Sequence, residues 1–138
     1  GEDKEDKNLI MELLNWMHKN KVDYTNTFIF LMNKTIKNSE VYDNADFDLW
    51  KIKWVKRLSM FGNSHDKSMI LMSHSNPMVI PRNHKIEEAL SFANSGDLTL
   101  FNKLTEILKN PYQVNKDDLE FMSPKPHNDK KYQTFCGT

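Results

Sequence analysis

The stretch ADFDLWKIKWVKRLSMFG, residues 45–62, decides the fold class. Its large apolar side chains, Phe47, Trp50, Trp54, Leu58 and Phe61, recur at spacings of three, four, four and three. That is the repeat of one helical face, not the alternation of a strand. Gly62 then offers a residue suited to the left-handed position at which helices stop. The two tryptophans of WKIKW lie one turn apart on the stripe, so they read as core or interface anchors ahead of a platform for a stacked ligand.

Outward from this helix the same period recurs. Upstream, Leu9, Ile10, Leu13, Leu14 and Met17 predict one amphipathic face, with Asp and Glu ahead of it and His18, Lys19 and Lys21 at its end, the charge order a helix macrodipole favours. Asp23 is placed to cap a second helix carrying Tyr24, Phe28, Met32 and Ile36, broadened by Ile29 and Leu31, although its TFIFL core also fits a strand. Downstream, HDKSMILMSH reads as a short helix stopped by Asn76-Pro77 and Ile80-Pro81, because residues before proline avoid the α region. From Pro81, taken in the first turn, Ile86, Ala89, Leu90 and Ala93 carry a helix to Ser95-Gly96. Asp97 caps LTLFNKLTEILKN, with Leu98, Phe101, Leu104 and Leu108 facing inward. One more turn is expected at Asp117 to Phe121. The expected fold is all-α: a single domain of five to six helices over residues 1–122, followed by an extended or disordered tail, 123–138, with no apolar period.

Composition narrows the function. The 138 residues suit one hydrophobic core. Nineteen basic residues balance nineteen acidic ones and the signs are interleaved, so neither nucleic acid nor an anionic membrane is an expected partner. The longest apolar run, FIFLM at 28–32, is far too short to span a bilayer, and GEDKEDKN has no signal character, which together predict a cytoplasmic protein. A lone cysteine, Cys136, excludes a disulfide within the chain and a cysteine-built zinc site.

The chemistry-bearing residues are sparse. His18, His65, His74, His84 and His127 are scattered, with no pair spaced to place two imidazoles on one helical face; His84 and Glu88 are one turn apart, an ordinary helical contact. No G-x-x-x-x-G-K-[ST], G-x-G-x-x-G, H-R-D or D-F-G occurs, and no G-x-S-x-G elbow, so the chain predicts no phosphate cradle and no hydrolase triad of its own. Arg82 stands out, because a guanidinium in a first helical turn opposes the macrodipole. Either it holds a carboxylate or other anion bidentately, or its stem covers apolar neighbours.

NPMVIPRNHKIEEAL (76–90), followed by GDLTLFNKLTEILKNPY and YQTFCGT, resembles the C-terminal region of the selenoprotein O family, and DYTNTF and WKIKWVKRL are similar to the same region. The likeness runs from about Asp23 to Thr138. It implies the C-terminal piece of a kinase-like protein that transfers AMP from ATP to Ser, Thr or Tyr hydroxyls of other proteins with Mg or Mn. In that family the nucleotide and metal residues lie N-terminal to the matched region. The resemblance therefore carries no catalytic, cofactor-binding or metal residue onto this numbering. It implies as partners the N-terminal kinase-like domain of the same polypeptide and the protein substrates of the whole enzyme. Some members carry a selenocysteine near the C-terminus, and Cys136 stands at a similar place. It reads either as a redox switch paired with a cysteine elsewhere in the whole protein or as an unpaired thiol. Arg82 and Asn83 read as residues docking the helical part on the kinase-like body, within a hinge. The alternative is a free-standing helical interaction module presenting Trp50 or Trp54 to a partner.

Overall fold

A computed structural model describes residues 4–60 and 65–125. Among them are six α-helices, two 3-10 segments and no strand. The chain separates into two compact units, 1–78 and 79–138, where the sequence argued for one domain over 1–122. The boundary falls between Met78 and Val79, inside the proline-bounded stretch read as a hinge.

The first unit is built on α1 (Lys4–Lys19) and α3 (Ala45–Met60). Three sets of ion pairs fix their antiparallel register: Arg57 with Glu5 and Asp6, at 3.0 and 2.6 Å, Lys53 with Glu12 at 2.8 Å, and Lys19 with Asp46 at 3.7 Å. The exposed pairs of Lys53 and Lys19 stabilise by only about 0–1 kcal/mol each, so they specify alignment more than they supply stability, whereas the Arg57–Asp6 pair is partly buried. The two buried indoles do the same from inside: Trp50 Nε1 donates to Leu9 O at 2.9 Å and Trp16 Nε1 to Asn44 Oδ1 at 3.0 Å. Asn44 Oδ1 also accepts from the Phe47 amide, which starts α3.

The expected α3 stripe is present, with Phe47 and Trp50 buried and Trp54 and Leu58 half-buried; Phe61 and Gly62 lie outside the described residues. On α1 the buried face is rotated from the expected one. Leu13, Trp16 and Met17 are buried, while Ile10 and Leu14 are exposed. The Trp16 ring packs at 4.5 Å from Phe47 and its N–H reaches Asn44, so the bulkiest side chain, which the aliphatic pattern left aside, sets which face turns inward.

The TFIFL segment is helical: α2 runs Tyr24–Leu31. Asp23 caps it as expected, accepting from the Asn26 amide at 2.9 Å. Its other end is closed by Asn33 in the left-handed region (φ 57), with Asn33 N–H bonded to Phe30 O and Lys34 N–H to Ile29 O. This satisfies the terminal carbonyls in the Schellman pattern. Ile36 consequently falls beyond the helix, and the buried face includes the polar Asn26 and Thr27. Thr27 Oγ1 lies 2.8 Å from Asp23 O, to which it donates, and 3.2 Å from Tyr42 Oη, so the buried hydroxyls are partnered. Burial, opposed by that hydrogen bond and reinforced by Asp23, raises the Tyr42 pKa. A 3-10 turn, Ser39–Tyr42, delivers the Tyr42 ring against Phe30 and Phe47. α4 (His65–Ser75) completes the unit, contributing the half-buried Met72 to the core and ending just before Asn76-Pro77, as expected.

In the second unit α5 (Asn83–Asn94) packs on α6 (Thr99–Lys109). Pro81 precedes the helix, and Arg82, extended at φ −88 and ψ 125, occupies the cap position. Gly96 at φ 92 closes α5 through bonds from Gly96 N–H to Ala93 O and from Asp97 N–H to Phe92 O. Asp97, one residue ahead of the cap position at Leu98, accepts from the Thr99 amide at 2.9 Å, and hydrogen bonding by the Thr99 side chain first, and by this amide second, lowers its pKa. Leu104 is buried as expected, but Leu98 and Phe101 are exposed. Leu98 lies outside the helical turn, so the inward stripe starts at the half-buried Leu100. The expected last turn is a 3-10 segment, Lys116–Met122, that inserts Phe121 and Met122 into the core beside Val79 and Ala89. It also buries Asp118, whose Oδ1 lies 2.7 Å from Lys103 Nζ as an ion pair and has no directed hydrogen bond.

Candidate functional site

An apolar concavity of the first unit is a groove of about 320 Å³ lined by residues of α1, α2, α3 and α4 with Asn76. Its floor is the buried trio Leu13, Leu31 and Trp50. Leu9, Phe28, Trp54 and Met72, each half-buried, form the walls. The rim is three exposed apolar side chains: Ile10 at 58% exposure, Leu14 and Tyr24. The α1 sequence dictates this arrangement. Seven apolar residues in the nine positions 9–17 make a surface wider than α3 alone can cover, and once Trp16 turns inward, Ile10 and Leu14 are left at the edge. Asn76 is the one amide in the lining, and its Nδ2 donates to Met72 O at 2.9 Å. Such a surface selects by apolar shape and offers little to a charged or strongly polar ligand. Trp50 itself is buried, so of the two tryptophans only the half-buried Trp54 presents a partly open ring.

A second cavity of the same unit, about 350 Å³, is lined by Lys34, Lys51 and His65 together with Phe30 and Trp54. Lys51 Nζ lies 5.9 Å from the centroids of both Phe30 and Phe47, a cation held against ring faces. Its charged lining is cationic, with Asn33 and Thr35 as the neutral polar side chains, which does not favour a divalent cation. Among the described residues no three His, Cys, Asp or Glu side chains converge on one point.

The Arg82-Asn83-His84 triplet opens α5 of the second unit. Arg82 is half-buried, with its Nε enclosed, whereas Asn83 is exposed. His84 titrates below the ordinary histidine range: burial disfavours its cation first, then Lys85 and Arg82, against an opposing pull from Glu88. The expected one-turn contact of Glu88 with His84 is diverted, since Glu88 pairs with Lys85 at 3.0 Å. Lys85 also lies 4.0 Å from Glu120 and 5.7 Å from the Phe121 ring centroid, so it anchors α5 to the 3-10 segment. Cys136 and His127 lie outside the described residues.

The sequence singles out Trp50 and Trp54 of this lining as core or interface anchors, but gives its other apolar residues only as faces of separate helices. The available signal was surplus: α1 carries more apolar side chains than one helical neighbour can bury.

The family model described as Protein adenylyltransferase SelO matches residues 1–109. The chain belongs to the SelO family. It is 83% identical over its whole length to Protein nucleotidyltransferase YdiU of Pelagibacter ubique (strain HTCC1062), and covers 29% of that protein. It is 41% identical over 99% of its length to the protein of the same name in Bacillus cereus (strain AH187), covering 28% of it, and 39% identical to that of Bacillus mycoides (strain KBAB4). The chain thus spans less than a third of the length of these relatives. The SelO likeness also begins ahead of Asp23, where the resemblance drawn from the sequence had its edge, and takes in α1. No helix among the described residues is long and apolar enough to cross a membrane.

Proposed function

We propose that these residues form a non-catalytic, C-terminal helical portion of a cytoplasmic SelO-type enzyme. In full-length form that enzyme would transfer AMP from ATP to Ser, Thr or Tyr hydroxyls of protein substrates. The observation that carries this reading is the match itself: end-to-end identity of 83% to a protein named a nucleotidyltransferase, of which this chain is 29%. The side chains the fold brings together agree with a supporting role. The groove of the first unit is apolar, and ion pairs between elements fix α1 on α3 and α6 on the 3-10 segment. ATP and its Mg or Mn are not assigned to residues of this chain, whose described side chains supply no donor set for the metal. The kinase-like remainder of the polypeptide is the first partner on this reading, with Arg82 and Asn83 as docking residues and Cys136 as a thiol available for exchange with it.

The test is transfer of labelled AMP to protein, with magnesium or manganese, by three polypeptides: the full-length protein, the full-length protein lacking residues 1–138, and these residues alone. Labelling by the first and none by the third is expected, and the second measures how much the helical portion contributes. Labelling by the 138 residues alone would remove the supporting role.

A further inference from the structure

We propose that the apolar groove of the first unit receives the apolar face of an amphipathic helix from the part of the full-length polypeptide that lies outside these 138 residues. The inference deepens the supporting role above by naming the surface and the chemistry of its occupant. Ile10 and Leu14, four residues apart on α1, form one lip, and Tyr24 at the start of α2 forms the other; Ile10 and Tyr24 are 58% and 60% exposed. Between them lies a floor of leucine and tryptophan, and the one amide in the lining already donates to a backbone carbonyl. A ligand rich in polar groups would therefore desolvate them against a lining that is mostly aliphatic and aromatic and returns few hydrogen bonds. Apolar side chains at helical spacing lose nothing there, and an apolar groove of this kind takes the apolar face of a helix.

The source of the helix follows from length. Relatives that match this chain end to end carry more than two-thirds of their residues outside the matched portion. A rim of aliphatic and aromatic side chains on an otherwise charge-balanced chain is what remains when a covering segment of the same polypeptide is taken away.

The experiment uses the purified full-length protein with the photocrosslinking residue p-benzoylphenylalanine in place of Tyr24 and, separately, of Leu14, so that one position remains if the other perturbs folding. Lys56, exposed and outside the groove, is the control position. After irradiation, the expected product keeps the mass of one chain and joins each groove position to a peptide outside the 138 residues with apolar residues three and four apart. Products of doubled mass would assign the groove to a second copy and overturn the proposal. So would crosslinks confined to the 138 residues, to a peptide without that spacing, or no more frequent than from Lys56. AMP transfer is scored separately: a protein that crosslinks as expected but labels no substrate sinks the enzymatic reading and leaves the groove's occupant standing.

Discussion

The two units solve the same problem, burying the faces of short helices, with different amounts of material. The first closes around rings: Phe47, with no exposed surface, sits within 6.0 Å centroid to centroid of Trp16, Phe30, Tyr42 and Trp50. Among its described residues the second has no such cluster. Its buried hydrophobic residues there are Val79, Ala89, Leu104, Phe121 and Met122, and it spends buried volume on the carboxylate of Asp118. Aromatic side chains bury large areas and gain further from ring contacts, so the first unit can leave Ile10, Leu14 and Tyr24 exposed and still close its core. The second must draw on a charge pair and on a 3-10 segment from beyond its helices.

The sharpest way to break this contrast is to remove the ring at the centre of the first unit. Phe47→Ala is expected to cost about 3–5 kcal/mol, the usual range for deleting a buried phenylalanine. All three tryptophans, Trp16, Trp50 and Trp54, belong to this unit, so their fluorescence during urea denaturation reads it selectively. A loss below about 1 kcal/mol, smaller than the ordinary cost of a cavity, would mean the ring cluster is not what closes the unit.

The matching test in the second unit separates charge from packing. Lys103 has a half-exposed side chain and Asp118 a side chain 4% exposed. Lys103→Met therefore strands a buried carboxylate, with an expected cost of about 3 kcal/mol. Asp118→Asn leaves an ammonium that can turn to water and is expected to cost less, about 1–2 kcal/mol, for the polar group left poorly satisfied. Amide exchange in α5 and α6 gives both values. Equal losses would show that the pair acts through shape and not through the buried charge.

The sequence made the helices legible wherever an apolar stripe met a capping residue. Asp23, the Phe47-Trp50-Trp54-Leu58 stripe and the stop at Asn76-Pro77 all stand where local chemistry put them. What it concealed was orientation. Trp16 was outside the aliphatic pattern of α1, yet a long-range hydrogen bond to Asn44 and contact with Phe47 turn it inward. Leu98 was assigned to a stripe although it precedes the helix, because the cap of α6 is displaced by one residue. The groove was illegible for the same reason: which of several adjacent apolar residues is left over depends on a neighbour's shape, which no local pattern states. The triplet at 82–84 was legible as a helix opening, while the diversion of Glu88 to Lys85 rests on the three-dimensional placement of the longer lysine side chain.

The two units also close helices differently, and this gives the smallest and most symmetrical test. In the first, left-handed positions are occupied by Lys21 (φ 53) after α1 and Asn33 after α2; in the second, Gly96 (φ 92) follows α5. After α1 the bonds run from Lys21 N–H to His18 O and from Val22 N–H to Met17 O, the same pattern that Gly96 and Asp97 make on Ala93 and Phe92. The left-handed region costs a residue with a Cβ roughly 1–2 kcal/mol, whereas glycine enters it freely but loses more chain entropy on folding. Lys21→Gly should therefore stabilise the first unit by somewhat less than the steric penalty, about 0.5–1 kcal/mol. Gly96→Ala should destabilise the second by about 1 kcal/mol. No atom lies within 4 Å of the position a Cβ at Gly96 would take, so a clash cannot supply that cost. Opposite signs, read from tryptophan fluorescence for Lys21→Gly and amide exchange for Gly96→Ala, are the expected outcome. If both variants destabilise, Lys21 is held by side-chain contacts that outweigh its backbone strain, and the difference between the units would then lie in those contacts and not in the choice of residue at the helix end.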